Sequence, residues 1–179
     1  MPQVKEKYMN FVNPLLRLID RVSPPETVSA HCDVPCGIYD PHAAQIAALT
    51  VVRMCQLANN LEMPAGGDKG ATIAYGNSMS RYFATKEAHA EICKREIDIL
   101  WHDYFRPEHL EKYPDLHTIV WQANKLASRN KQNLDLAAAE ELLGATRRIA
   151  EIFWDTKGVA TRTGGSNQAV GGELVYVAG

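Results

Sequence analysis

Between Asp40 and Lys157 the apolar residues recur at intervals of three and four, the spacing that lines them along one side of an α-helix. Ile46, Leu49, Val51, Val52 and Leu57 form the first series, which runs to about Asn60. Asp40 suits an N-cap, and Pro41 suits the first helical position, where its missing N–H costs nothing. A second helix is expected from Met79 to Tyr104, after which Pro107 and Pro114 punctuate a turn. A third spans Asp115 to Lys131, with Leu116, Ile119, Val120 and Leu126 on its apolar face. Asp135 can cap a fourth, which reaches Lys157 through Leu142, Ile149, Ile152 and Phe153. Short connections between the later helices favour antiparallel neighbours, so the expected class is all-α, an antiparallel four-helix bundle.

Two stretches break the pattern. "MPAGGDKGATIAYGNS", residues 63–78, carries Pro64 and four glycines and is read as a long loop. Its "GGDKGAT" lacks the complete phosphate-loop pattern and a preceding strand. The tail from 158 to 179 is Gly-rich, and its "ELVYV" run can add a β-like edge, pack on a neighbouring subunit, or lie loose.

The composition narrows the function classes. A chain that is 46% hydrophobic and 22% charged is unlike a disordered one. The net charge of −2 lacks the basic excess expected of a nucleic-acid binder. There is no run of eighteen apolar residues, so no membrane-spanning helix is expected. Four cysteines in 179 residues are too few for a disulfide scaffold. Cys55 and Cys93 stand alone within helical series and are read as small core side chains.

Residues 1–30 read as a leader: an early lysine pair, an apolar patch and small residues ending at Ala30. Asn13, Pro14, Arg17, Asp20 and Arg21 interrupt the apolar part. A cleavable propeptide with the linker "SPPETVS" therefore fits better than a secretory signal, and a cytoplasmic location is expected.

Immediately after it, "SAHCDVPCGIYDP" sets His31, Cys32 and Cys36 within six residues. Taken alone, this spacing admits a small disulfide loop or a site for a borderline or soft divalent metal. Pro35 holds Val34 extended and Gly37 permits a sharp turn, so Cys36 can curl back toward Cys32. Cleavage between Ala30 and His31 would add a free α-amine. Amine, backbone amide and two thiolates then make a square-planar set suited to copper(II) or nickel(II).

The segment "VSAHCDVPCGIYDP" resembles the processing junction and nickel hook of nickel-containing superoxide dismutases. "ILWHDYF" at 99–105, "YPDLHTIV" at 113–120 and "IAEIFWDTK" at 149–157 resemble that family's helices, in the same order. The resemblance implies a domain over 31–157: a four-helix bundle with an N-terminal metal-binding hook, with 158–179 as an extension. It implies nickel bound by the amine and imidazole of His31, the amide and thiolate of Cys32, and the thiolate of Cys36. By position, Tyr39 covers the open axial face, Tyr104 is a second tyrosine of that network, and Asp33 helps fix the hook. It further implies disproportionation of superoxide, a homohexamer, and a peptidase that removes the leader.

The sequence also departs from the family's pattern. A glutamate that orients the axial histidine is replaced by Ala47, and its arginine partner aligns with His89. A ligating imidazole needs a partner to fix its ring, so two readings stay open: a rebuilt pocket in which His89 or His42 substitutes, or a mobile imidazole with slower turnover. His42 and His89 are themselves read as structural or solvent-facing rather than as ligands. Two other readings stay open: a non-enzymatic nickel- or copper-binding helical protein, and a bundle whose Cys32 and Cys36 form a disulfide.

Overall fold

The computed structural model describes residues 37–179. The leader and His31, Cys32, Asp33 and Cys36 fall outside the described residues. The Asp40 carboxylate accepts the His42 N–H at 2.7 Å, and Pro41 already has helical angles. Helix α1 follows as His42–Asn59. Its buried stripe is rich in small residues, Ala44, Ala47, Ala48 and Ala58, around Leu49, Val51, Val52 and Cys55. Small side chains let neighbouring helices approach closely. Ile46, expected in the core, is instead 39% exposed, because burial of Ala44, Gln45, Ala47 and Ala48 turns its edge of the helix toward solvent.

Helix α2, Lys69–Ile99, begins ten residues earlier than expected. Asp68 is the cause: its carboxylate accepts the Ala71 N–H at 2.9 Å, and Thr72 donates to its carbonyl at 2.8 Å. The cap offsets Gly70 and Gly76, each of which costs about 1 kcal/mol in a helix interior. The glycine-rich stretch is thus part loop and part capped helix. Burial in α2 starts only at Lys86 and continues through Ala90, Cys93 and Ile97. The helix then widens into a π turn, Leu100–Tyr104, closed by the Phe105 N–H on the Leu100 carbonyl at 2.9 Å. A short α3, Pro107–Lys112, occupies what the prolines mark as a turn.

Helices α4, Leu116–Gln132, and α5, Leu136–Thr156, follow the expected series closely. Asp135 caps α5 through the Ala138 N–H at 3.0 Å and pairs with Arg129 at 2.5 Å. The four long helices close a ring, with α1 and α4 each packing on both α2 and α5. Phe153, Ile97, Leu100, Leu116, Leu142, Ile149 and Ile152 fill the middle. Among the described residues no helix is long and apolar enough to cross a membrane.

The chain is mostly helical rather than purely so. The tail forms an antiparallel hairpin of β1, Thr161–Gly165, and β2, Glu173–Val177, with Thr163 opposite Val175. It is fastened to the helices by Gln45, fully buried on α1, whose amide accepts the Val175 N–H at 2.8 Å and donates to the Val175 carbonyl at 3.3 Å. Leu174 and Val175 are both buried, and Arg147 on α5 pairs with Glu173 at 2.9 Å. Gly172 has a φ of +75°, and a Cβ there would lie 3.2 Å from Leu49 and 3.3 Å from Leu143. Backbone conformation and close packing both favour glycine at this position.

Lys86 is the one cation in the core of the described residues, 2% exposed. Its ammonium donates to the carbonyls of Asn130, Lys131 and Asn133, where α4 ends and its dipole is negative. Burial pushes its pKa below the usual lysine range. Lys86→Met would leave those carbonyls short of a donor and should cost about 1–3 kcal/mol, read as a lower urea midpoint with an unchanged slope.

Candidate functional site

The described part of the site lies where three chain segments meet. The π turn at the end of α2 carries Tyr104, and the segment leading into α1 carries Tyr39. Their rings lie 5.7 Å apart at 55°. The Tyr104 ring rests 4.5 Å from Phe153 and stacks 5.5 Å from His109 on α3. The Arg106 N–H donates to His109 Nδ1 at 3.2 Å, so the neutral imidazole carries its proton on Nε2. Two tyrosines, a histidine and a buried phenylalanine thus form one aromatic cluster.

The last turn of α5 completes it. The Tyr104 hydroxyl meets Thr156 Oγ1 at 2.7 Å. The Lys157 ammonium sits over three rings, 4.7 Å from the centroid of Phe153, 5.4 Å from Tyr104 and 5.8 Å from Trp154. Such placement holds an exposed cation by its attraction to ring faces. It also sets a positive charge beside a phenol, a favourable place for a small anion.

Asp155 anchors this turn to α3. It accepts hydrogen bonds from Lys112 and Tyr113. Those two donors, Lys112 first, hold its carboxyl below the usual carboxylate range. The same bond raises Lys112 and Tyr113.

The donor chemistry elsewhere is closed. Cys93 is buried and its thiol is pushed up to about 12 by burial. Cys55 is also buried and raised, chiefly by burial, with the charge of Lys86 opposing. Both are neutral core thiols, as the sequence suggests. Among the described residues no group of three His, Cys, Asp or Glu side chains is placed to hold a metal. The remaining thiols of the sequence are Cys32 and Cys36, beside His31. Two thiolates with nitrogen donors are a set that fits nickel.

The sequence profile described as nickel-containing superoxide dismutase matches residues 26–157. This chain belongs to the nickel-containing superoxide dismutase family. It is 41% identical over 135 residues to the Streptomyces seoulensis protein "Superoxide dismutase [Ni]", covering 75% of this chain and 94% of that protein. The protein of the same name from Streptomyces coelicolor is 40% identical with the same coverage. A native nickel superoxide dismutase crystal structure superposes with a TM-score of 0.61 at 36% identity, over 71% of this chain and 99% of that one. One with nickel ligation of the oxidised state gives 0.57 at 40% identity, over 72% and 99%. The hairpin at 161–177 lies beyond the 26–157 match.

Of the residues singled out in the sequence, Tyr39 and Tyr104 lie side by side. His31, Cys32, Asp33 and Cys36 lie outside the described residues. His89 is not part of the tyrosine cluster: it sits fifteen positions before Tyr104, about 22 Å along the helix. Its Nδ1 is buried and makes no hydrogen bond within the described residues. Ala47, the other departure, is 2% exposed in the packed core. Thr156 and Lys157 end the block "IAEIFWDTK", which marks no individual role for either. The available signal was their place next to Phe153 and Trp154 at a helix end.

Two measurements follow. A carboxyl depressed in the folded state adds stability above its unfolded value, about pH 4, and loses it as pH falls through the folded value. Asp155→Asn should therefore melt lower than the parent at neutral pH, with the difference shrinking below about pH 4. Cys55 and Cys93 should resist a thiol reagent at about pH 8 until the protein is unfolded.

Proposed function

We propose that this chain disproportionates superoxide, converting two superoxide anions and two protons into dioxygen and hydrogen peroxide. The observation that carries the reading is the family match over 26–157 together with the Tyr39–Tyr104 pair, 5.7 Å apart, in the same fold. Nickel is the cofactor, and when bound it supplies one-electron chemistry by alternating between Ni(III) and Ni(II).

His31, Cys32 and Cys36 are proposed as the ligands, with leader removal after Ala30 creating the amine of His31. Asp33 is proposed to steady the hook. Cys36 stands three residues before Tyr39, so covalent geometry keeps their Cα atoms within about 11 Å. That reach supports Tyr39 and Tyr104 as the phenols facing the metal. They line the approach, hold water and leave room for a small substrate. Lys157 offers superoxide a positive charge at the rim. The helices and the hook are read together as an antiparallel four-helix bundle with an N-terminal hook, assembled as a homohexamer in the cytoplasm.

The test is a chain beginning at His31. It should bind about one nickel per chain and remove superoxide, whereas the chain keeping residues 1–30 should do neither. Full nickel occupancy without superoxide removal would overturn the enzymatic reading in favour of a metal-binding protein. Lys157→Gln should lower kcat/KM by about two- to fivefold at low ionic strength, and the difference should fade as salt screens the charge.

A further inference from the structure

The proton of the Tyr104 hydroxyl has a defined direction. Thr156 Oγ1 lies 2.7 Å from the Tyr104 oxygen and also 2.7 Å from the carbonyl oxygen of Phe153. A carbonyl can only accept, so the single hydroxyl proton of Thr156 must point at Phe153. Any other arrangement would hold two oxygens at 2.7 Å with no proton between them. With its proton committed, Thr156 can only accept from Tyr104. The phenol therefore donates toward α5 and presents lone pairs on its remaining side.

The surroundings hold this polarity in place. Phe153 supports both partners, since its carbonyl orients Thr156 and its ring packs 4.5 Å from Tyr104. Asp155, bonded to Lys112 and Tyr113, ties the turn that carries Thr156 to α3. His109 also stacks on the Tyr104 ring, 5.5 Å away. Rotating the phenol proton elsewhere would leave a half-buried Thr156 oxygen short of a partner.

We propose that Thr156 is a positioning residue for superoxide dismutation, fixing the Tyr104 phenol as a hydrogen-bond acceptor toward the site. The proposal rests on Tyr104 being a site residue, as read above. Superoxide carries no hydrogen and cannot donate to those lone pairs, whereas water and hydrogen peroxide can. Tyr104 thereby selects proton-bearing partners: it holds a water that relays the two required protons from bulk solvent, each proton passed on being replaced from solvent, and leaves the anion to Lys157. Thr156 itself touches neither substrate nor metal.

Raman spectroscopy of the tyrosine ring doublet separates a donating from an accepting phenol, and it needs no nickel. Subtracting the spectrum of Tyr104→Phe isolates Tyr104 from the other tyrosines. The parent should show a donor. Thr156→Val, which keeps the shape and removes the oxygen, should lose that signature, and Thr156→Ser should restore it. With unchanged nickel content, Thr156→Val should lower kcat by about two- to tenfold, the kinetic equivalent of one hydrogen bond, and alter its pH profile. Thr156→Ser should recover both, and Thr156→Ala serves if valine impairs folding. An unchanged donor signature in the valine and alanine variants overturns the proposal. So does a changed signature with unaltered turnover and pH profile. If Tyr104→Phe leaves turnover intact, the assignment of Tyr104 to the site fails, and the positioning role falls with it.

Discussion

The Tyr104 ring rests 4.5 Å from Phe153, a residue with no exposed surface, and the described part of the site is organised around that contact. Phe153 belongs to the core shared by the four long helices, so the site inherits core rigidity through one aromatic pair. The π turn at Leu100–Tyr104 places Tyr104 at the end of α2, and α5 supplies Thr156 and Lys157 one turn past Phe153. Here two helix ends are locked together before any ligand arrives.

The chemistry is divided along the chain in a way that burial explains. Cys55 and Cys93 are enclosed among apolar side chains, which disfavours their thiolates. The donors suited to nickel are concentrated in six residues at 31–36, directly before the described domain. The described helices carry the tyrosine pair and Lys157, while the sequence concentrates its remaining thiols ahead of them.

The hairpin that follows the matched region is integrated into the fold. Gln45 pairs with both backbone groups of Val175, and Gly172 lies close against Leu49 and Leu143. Leu174 and Val175 join the same core as the helices. The tail's alternatives in sequence, edge, subunit contact or loose end, are thus decided for residues 161–177 by contacts with α1 and α5. The "ELVYV" run is the local hint of this strand, and it does not identify its partner on the helices.

The sequence by itself determined the four long helices, their caps at Asp40 and Asp135, the neutral role of Cys55 and Cys93, and the family through the hook and three later blocks. These features are local: helical periodicity, capping chemistry and short motifs are all written within a few neighbouring residues. It misplaced the start of α2, because glycine content concealed the Asp68 cap, and it assigned Ile46 to a face that alanines occupy. Only the tertiary structure decided that Lys86 ends α4, that Gln45 docks the tail, and that Tyr39, Tyr104, Thr156 and Lys157 share one cluster. Each of those facts joins residues far apart in the chain, and the direction of a hydroxyl proton depends on two oxygens contributed by a helix 52 positions away. Periodicity carries no record of such meetings. They arise from how the helices pack.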